Sequence, residues 1–348
     1  MKTLFLCPSL GVADFGMDSL WPGLIAKLGA QDLVDWPVAP RRRKAATNKQ
    51  GSWYQQYLEE RGSMCYTPQN PSLPQWTLDD VKRILQAEGF ERVFVDETPG
   101  SFDCYKLSGL DNTIIPVVMI AAWLRPRIPI RIATGWYGDR LEAVFTDNWT
   151  PAMQAAMSNC HPINLGASNL ELFLSDDEAR ALQADKKFDV CFVGANTHGL
   201  RTDHFAALKA EFPDDAEALV LYSGHSGLKF VPGDPPIMLR HEYFAKIAQA
   251  RVAINLVGSA PNGRTIRFYE IPWVGSLMVT SPVSGQVWPL VDGVHCLYYQ
   301  TIPEMMSKIR WALSHQQEAE KIALAGQQFV REHYGAVQRV EYVYSKLK

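Results

Sequence analysis

Long apolar runs, paired cysteines and a strong net charge are all missing from this chain of 348 residues. No segment approaches the ~20 apolar residues of a membrane-spanning helix, and the apolar stretch at the amino terminus is too short for a signal peptide. The six cysteines form no C-x-x-C pair and no metal-binding spacing. A formal net charge of −3 gives no overall signature of nucleic-acid or membrane binding. We therefore expect a soluble, cytoplasmic protein with reduced thiols and no membrane span.

Two common nucleotide-binding motifs are also missing. No G-x-G-x-x-G follows an apolar strand and there is no Walker loop, which disfavours a dinucleotide oxidoreductase and an NTPase. Apolar material, in contrast, is ample, because 47% of the residues are hydrophobic and ten are tryptophans. At this length a single ordinary core is not enough, so we expect two domains.

Short apolar runs alternate with helical patterns along the whole chain, which is typical of parallel sheets built from β-α-β units. A polar, acidic stretch near residues 164–187 marks the join. We predict a first domain over residues 1–165, a second over residues 166–332 and a final helical segment over residues 333–348.

The predicted strands of the first half are Thr3–Cys7, Arg92–Asp96, Ile128–Ala133 and Ala143–Thr146. The predicted helices of the first half are Asp18–Leu28, Trp53–Glu60, Thr77–Glu88, Ile115–Leu124 and Pro151–Ser158. The predicted strands of the second half are Asp189–Val193, Ala218–Tyr222, Val252–Leu256, Leu277–Thr280 and His295–Tyr298.

The segment Asn262–Ser281 carries the densest chemical signal in the chain. It reads as a glycine-led helix over Gly263–Ile271, followed by a glycine stop and a short apolar strand. Gly263, Arg267 and Glu270 stand at i, i+4 and i+7, so they are predicted to share one helix face. The N–H groups of a first helical turn and the fork-shaped cation of Arg267 suit a diphosphate.

A carboxylate at Glu270 suits the two hydroxyls of a ribose, so the segment predicts a nucleotide-sugar site. The alternative is a surface helix on which Arg267 and Glu270, at i and i+3, form only a weak ion pair.

Loops after the second-half strands add further candidates, because the strand-end loops of an open parallel sheet bind ligands. Arg201 is a candidate phosphate ligand, or else a solvated arginine at a helix start. Asn196 and His198 in the same loop are candidates for contacting ligand atoms. His225 lies between two glycines, which permit close backbone approach to a ligand but equally suit a plain turn.

Several motifs in fixed order resemble the C-terminal half of a GT-B glycosyltransferase. The strand FDVCFVGANTHGLR carries Gly194 and Arg201, and the segment YFAKIAQARVAINL follows it. Then come Arg267-Phe268-Tyr269-Glu270, a glycine, an apolar strand and the helical tail IALAGQQFVREHYGAVQRV. The similarity covers about residues 140–345 and is greatest to the spore-maturation-protein (CgeB-like) branch of the group-1 glycosyltransferases.

The chain departs from that family pattern at two places. Asn262 stands where many relatives carry a carboxylate ahead of the ribose glutamate. Ile271-Pro272-Trp273 replace small residues after that glutamate, and Pro272 is expected to kink the helix or end it early.

The resemblance implies a GT-B fold, in which two Rossmann-like α/β domains face each other across a cleft and a C-terminal helix crosses back to the first domain. It implies transfer of a sugar from a nucleoside-diphosphate donor to a hydroxyl acceptor, with no cofactor. No D-x-D occurs in the chain, which disfavours a metal-dependent site. The donor-binding residues carried over or supported by the resemblance are Gly194, Asn196, His198, Arg201, His225, Gly263, Arg264, Arg267 and Glu270.

The acceptor side is expected in the first domain, where an inverting enzyme needs a general base near the acceptor hydroxyl. Asp14, after the first strand, and Asp96 and Glu97, at the end of another strand, are the candidates, although strand-end acids are often helix caps. The basic run Arg41–Lys44 either grips a polyanionic acceptor or is a solvated loop. The acceptor itself, whether small molecule, glycan, protein or modified nucleic acid, is not specified.

Two other functions fit the same sequence features. One is a nucleotide-sugar epimerase of the same fold, and the other is a catalytically silent nucleotide-sugar-binding protein.

Overall fold

The computed structural model describes residues 2–6, 15–36, 76–96, 99–121, 135–147, 149–163, 174–196, 201–222, 240–256, 265–283 and 286–348. The chain forms two compact units. The first comprises Met1–Asn169 and Gly335–Lys348, and the second comprises Leu170–Tyr334. Each unit is a parallel sheet flanked by helices, as the alternation of apolar runs and helical patterns predicts.

The first unit contains a six-stranded parallel sheet in the order β2-β1-β3-β4-β5-β6. Its strands are β1 (Lys2–Leu6), β2 (Leu33–Asp35), β3 (Phe90–Asp96), β4 (Val117–Ala121), β5 (Leu141–Thr146) and β6 (Cys160–Pro162). The helices that accompany them are α1 (Phe15–Leu28), α2 (Leu78–Ala87), α3 (Pro99–Leu107) and α4 (Pro151–Ala156).

The predicted helix Ile115–Leu124 is wrong, because its central residues form strand β4. All five residues of β4 are buried, and the strand pairs with β3 on one side and β5 on the other. A strand buried on both faces reads as a continuous apolar run, which periodicity cannot distinguish from a buried helix. The predicted strand Ile128–Ala133 and helix Trp53–Glu60 lie outside the described residues.

The second unit contains a five-stranded parallel sheet in the order β11-β10-β9-β7-β8. Its strands are β7 (Phe188–Ala195), β8 (Leu219–Tyr222), β9 (Ala250–Asn255), β10 (Leu277–Thr280) and β11 (Leu297–Tyr298). Its helices are α5 (Asp176–Ala184), α6 (Thr202–Glu211), α7 (Arg240–Ala248), α8 (Arg267–Trp273), α9 (Ile302–Ser314) and α10 (Gln316–His333). The five predicted strands of this half are all present.

The strand order of the second unit determines where a ligand can bind. From β7 the chain first adds β8 on one side of the sheet and then β9, β10 and β11 on the other. The strand order therefore reverses between β7 and β9, and in open parallel sheets such a reversal places a crevice at the carboxyl ends of the two strands. The crevice is the point at which ligands bind in open parallel sheets.

The last helix, α11 (Ala336–Tyr344), belongs to the first unit and packs on α1. A Cβ atom at Gly23 would lie 2.2 Å from the carbonyl oxygen of Ala336, so only glycine permits this close contact. The expected return of the C-terminal helix to the first domain is confirmed. None of the helices in the described residues is both long enough and apolar enough to cross a membrane.

Lys348 is bonded in the same unit to a buried ion pair. Arg92 Nε donates to Glu142 Oε2 at 3.0 Å, and both side chains are buried. The backbone N–H of Lys348 donates to Glu142 Oε1 at 2.6 Å, and Arg92 Nη2 donates to the Lys348 carbonyl at 3.3 Å.

Candidate functional site

Arg201 joins the carboxyl ends of β7 and β9 at the crevice of the second unit. Its Nε donates to the carbonyl of Leu256, directly after β9, at 2.8 Å. Its Nη1 donates to the carbonyl of Ala195, the last residue of β7. Arg201 is only 5% exposed, although it stands at the start of helix α6. The structure therefore makes it a buried cation at the crevice and not a solvated arginine at a helix start.

Arg267, at the start of α8, reaches the same strand end. Its Nε donates to the Val193 carbonyl in β7 at 2.8 Å. The guanidinium carbons of Arg201 and Arg267 lie 5.9 Å and 5.7 Å from the ring centroid of Phe192. The two cations are thus gathered around one buried aromatic ring.

Gly194 leaves the space that the Arg267 side chain occupies. A Cβ atom at this position would lie 2.7 Å from Arg267 Nη2 and 2.9 Å from Phe192 Cζ. Both distances are shorter than real Cβ contacts, so a larger residue would displace the guanidinium. Because Gly194 has no side chain, it leaves room for the guanidinium of Arg267.

Arg201 is buried and Arg267 is half-buried, so their positive charges are only partly screened by solvent. Burial lowers the pKa of Arg201 to about 9, and the positive charge of Arg267 acts in the same direction. Within the described part of the chain the arginine ion pairs are made by other arginines, and neither Arg201 nor Arg267 has a carboxylate partner. An arginine has five N–H donors, and carbonyls of the described residues use two on Arg201 and one on Arg267. The remaining donors are suited to an anion.

Glu270 lies one helical turn after Arg267 in α8. It is only 2% exposed, and Tyr243 Oη in α7 donates to its Oε2 at 2.8 Å. A buried carboxylate is costly to desolvate unless hydrogen-bond donors meet it, and Tyr243 is one such donor. The sequence prediction singled out Glu270 without identifying this partner.

The predicted helix start at Gly263 is wrong. The helix of the described residues begins at Arg267, and residues 265–266 ahead of it are not helical. Thr265 Oγ1 donates to Asn255 Oδ1 at 2.7 Å, which ties the approach to α8 to the end of β9. The shared helix face therefore holds for Arg267 and Glu270, whereas Gly263 and Arg264 lie outside the described residues.

Helix α8 is only seven residues long and ends one residue after Pro272, as the proline predicts. A helix this short is marginal by itself, so its neighbours must fix it. Gln327 Nε2 of α10 donates to the Trp273 carbonyl at 3.0 Å. Gln183 Nε2 of α5 donates to the Val274 carbonyl at 2.7 Å. These bonds satisfy carbonyls at the end of α8 and hold Arg267 and Glu270 in place.

A buried polar chain behind the crevice was missed by the sequence reasoning. Asn255, which ends β9, donates from Nδ2 to Thr280 Oγ1 at the end of β10, at 3.0 Å, and both residues are fully buried. Asn255 also accepts the bond from Thr265. The sequence did contain a signal for these residues: each is a polar residue at the carboxyl end of an apolar strand, and ligands bind at that edge of a parallel sheet.

Asn196 makes local hydrogen bonds at the turn into α6. Its Nδ2 donates to Thr202 Oγ1 at 3.0 Å, and its Oδ1 accepts from the Arg201 backbone N–H at 3.4 Å. These contacts help to place Arg201. The predicted ligand residues His198 and His225 lie outside the described residues.

In the first unit, Asp96 ends strand β3 and is only 1% exposed. It lies near Cys104: burial raises the pKa of this thiol to about 11, and the charges of Asp103 and Asp96 add to the effect. The other candidate bases, Asp14 and Glu97, lie outside the described residues, as does the basic run Arg41–Lys44.

A family model described as glycosyl transferase-like matches residues 235–345, which include Tyr243, Asn255, Arg267 and Glu270. Solved structures of other proteins superpose on nearly the full length of the chain. The crystal structure of Anabaena Alr3699/HepE in complex with UDP superposes with a TM-score of 0.58 at 14% identity, covering 100% of both chains. The chain has the GT-B fold.

Two further solved structures share this fold. An α-glucosyltransferase in complex with UDP-glucose and DNA containing an abasic site gives a TM-score of 0.58 at 9% identity, covering 99% of this chain and 98% of that one. A putative UDP-N-acetylglucosamine 2-epimerase from Listeria monocytogenes gives 0.53 at 11% identity, covering 99% and 95%. No sequence among curated proteins matches the chain.

Proposed function

We propose that this protein is a glycosyltransferase that takes a sugar from a nucleoside-diphosphate donor bound at the crevice of the second unit and transfers it to a hydroxyl acceptor. The observation that carries the proposal is the pair of cations, Arg201 and Arg267, gathered around Phe192 without a carboxylate partner in the described residues.

A diphosphate is the anion that suits this pair. Arg201 is buried and Arg267 is half-buried, so the two positive charges repel each other across a medium that screens them poorly, and an anion that contacts both relieves that repulsion. Forked guanidinium donors match phosphate oxygens, and stabilising a departing diphosphate is the main electrostatic task in transferring a glycosyl group. The UDP and UDP-glucose complexes of Anabaena HepE, which share the fold over 100% and 99% of this chain, support this ligand class.

Glu270 is the proposed acceptor of the ribose hydroxyls. It stands one turn from Arg267 on the same anchored helix, so a nucleotide held by its phosphates brings its ribose within the same crevice. The proposed donor residues outside the described part of the chain, His198, His225, Gly263 and Arg264, complete the set carried over from the family resemblance.

The proposed reaction uses no metal ion, because Arg201 and Arg267 supply the positive charge that a metal would otherwise bring to the diphosphate. Asp14, Asp96 and Glu97 remain the proposed candidates for a general base. The acceptor is proposed to bind the first unit, since recognition tends to be carried by loops over a fixed scaffold.

The test is turnover of a panel of nucleoside-diphosphate sugars with mixed hydroxyl acceptors, in EDTA. The proposal expects release of nucleoside diphosphate with formation of a glycosylated product, and loss of both in Arg267→Met. Arg310→Met is the matched control, because Arg310 is an exposed arginine of the same unit paired with Glu211.

Other outcomes would assign another function. A change of the sugar without diphosphate release and without acceptor would indicate an epimerase, which the Listeria neighbour makes worth measuring. Tight binding of nucleotide sugar with no reaction under any acceptor would indicate a binding protein. Activity that disappears in EDTA and returns with Mg²⁺ or Mn²⁺ would contradict the role given to the arginines.

A further inference from the structure

The contact between Tyr243 and Glu270 joins two helices over buried side chains. Tyr243, in α7, is 7% exposed, and its hydroxyl lies 2.8 Å from Glu270 Oε2 in α8. A hydrogen bond to a charged group in a buried place is stronger than one between neutral groups in water. The bond therefore constrains the carboxylate.

Both ends of the bond are held by the surrounding structure. Phe244, next to Tyr243, is fully buried, and its ring meets the Tyr243 ring edge-on at 5.0 Å. The single hydroxyl proton of Ser276, just before β10, lies within hydrogen-bond reach of the carbonyls of Ile247 at the end of α7 and Ala250 at the start of β9, which ties these elements together. On the other side, α8 is fixed by the side chains of α5 and α10 described above. The hydroxyl thus meets the carboxylate at a fixed position.

A fixed carboxylate matters because the last torsion of a glutamate side chain is broad and two-fold. A donor at Oε2 selects one orientation of the carboxylate plane. Two adjacent hydroxyls can each donate to one oxygen of a single carboxylate, but only when that plane is aligned with them.

Tyr243 is also close to the phosphate side of the crevice. Tyr243 and Tyr299 both lie within electrostatic reach of Arg201, since the negative charge of either phenolate would raise the pKa of Arg201 against the effect of burial. The hydroxyl of Tyr243 is therefore placed near both the cation assigned to the diphosphate and the carboxylate assigned to the ribose.

We propose that Tyr243 is a positioning residue that aligns the Glu270 carboxylate with a vicinal diol and thereby makes the site prefer ribonucleotides to 2′-deoxyribonucleotides. This inference rests on the function proposed above. It adds to that function a residue, Tyr243, that acts through Glu270 to distinguish ribose from 2′-deoxyribose in the nucleotide.

The experiment compares calorimetric affinities for UDP and 2′-deoxy-UDP, and for the matching ADP and GDP pairs. For each protein the measured quantity is the ratio of the deoxy to the ribo dissociation constant. The wild type should prefer the ribonucleotide by about tenfold or more, since a hydrogen bond to a charged group is worth one to two powers of ten in affinity. Tyr243→Phe should lower the ratio at least about threefold by weakening only the ribonucleotide.

Two further variants separate the possible failures. Tyr299→Phe removes another buried tyrosine hydroxyl near Arg201 and should leave the ratio unchanged. Glu270→Gln should abolish most of the ribonucleotide preference. If Glu270→Gln lowers the ratio and Tyr243→Phe does not, or if Tyr243→Phe weakens both nucleotides equally, the role given to Tyr243 is overturned. If the wild type shows no preference, or Glu270→Gln leaves the ratio unchanged, the ribose assignment of Glu270 fails as well.

Discussion

Buried arginines occur in both units of the molecule, and their surroundings differ. In the first unit Arg92 is 6% exposed and forms an ion pair with the buried carboxylate of Glu142. In the second unit Arg201 is buried to the same extent, but it faces another cation, Arg267, and has no carboxylate partner in the described residues.

The pKa shifts of these arginines run in opposite directions. Burial lowers the pKa of Arg92, but the hydrogen bond and the charge of Glu142 outweigh burial and leave the pKa raised. For Arg201 burial and the charge of Arg267 both lower the pKa. The cation of Arg92 is therefore matched by a carboxylate inside the protein, whereas Arg201 and Arg267 have no such match in the described residues, and we propose that an anion from outside supplies it.

The largest effect is expected when the ion pair between Arg92 and Glu142 is broken. Arg92→Met leaves Glu142 buried without its cation, so the free energy of unfolding should fall by about 3–5 kcal/mol. Urea unfolding followed by circular dichroism measures this loss. The double variant Arg92→Met, Glu142→Leu should recover most of it, because an apolar pair can replace a buried ion pair. A double variant as unstable as the single one would show that the pair is not the cause.

For Arg267, which has no carboxylate partner in the described residues, substitution should lower ligand affinity more than stability. Arg267→Met should weaken nucleoside-diphosphate binding by about 1.5–3 kcal/mol, the value of a hydrogen bond to a charged group. The free energy of unfolding should change by no more than about 1.5 kcal/mol, because the bond to the Val193 carbonyl is lost while repulsion from Arg201 is relieved. Calorimetric titration and urea unfolding of the same sample measure both quantities. If Arg267→Met lowers the free energy of unfolding as much as Arg92→Met does, Arg267 is a structural residue like Arg92, and the distinction drawn between them is wrong.

A smaller loss of affinity is expected when the cation is kept but displaced. In Gly194→Ala the new methyl group would lie 2.7 Å from Arg267 Nη2, so the guanidinium must move. Nucleoside-diphosphate affinity should fall by less than in Arg267→Met, because the charge remains nearby. In the Arg267→Met background the same change should cost no further affinity. An additive loss would mean that Gly194 acts independently of Arg267.

The smallest effect is expected at the turn that leads to Arg201. Asn196→Ala removes two local hydrogen bonds, one of them to the Arg201 backbone, and should weaken nucleoside-diphosphate binding by less than about 1 kcal/mol. A loss as large as that of Arg267→Met in the same titration would show that Asn196 contacts the ligand directly.

Much of the fold of the second unit follows from local pattern. Its strands are apolar runs flanked by turn residues, so all five were predicted, and α5 (Asp176–Ala184) begins with a capping box of Ser175 and Glu178. In the first unit the same reasoning fails for β4, because Val117–Ala121 is buried on both faces and carries no period. Strands β2 and β6 are three residues long, too short for a pattern to register.

The residues of the candidate site also fall into two groups, those predictable from local sequence and those defined by tertiary contacts. Arg267 and Glu270 were predictable because they stand one turn apart in one helix. Tyr243 and Asn255 were not, because the hydrogen bonds that define them reach 27 and 25 residues along the chain, to Glu270 and Thr280. Helix α8 begins at Arg267, and just ahead of it Thr265 is bonded to Asn255, a tertiary contact that local helix signals cannot reveal.

The most direct test of the account is the binding of UDP compared with uridine, with ADP and GDP measured against their nucleosides. Thermal unfolding with each ligand provides the readout. A site ligand at 100 times its dissociation constant adds about 2.7 kcal/mol to the stability. We expect that at least one nucleoside diphosphate stabilises the wild type, that its nucleoside does so far less, and that Arg267→Met removes the difference. Equal stabilisation by nucleoside and diphosphate, or a difference that survives in Arg267→Met, would contradict the claim that Arg201 and Arg267 form the diphosphate site.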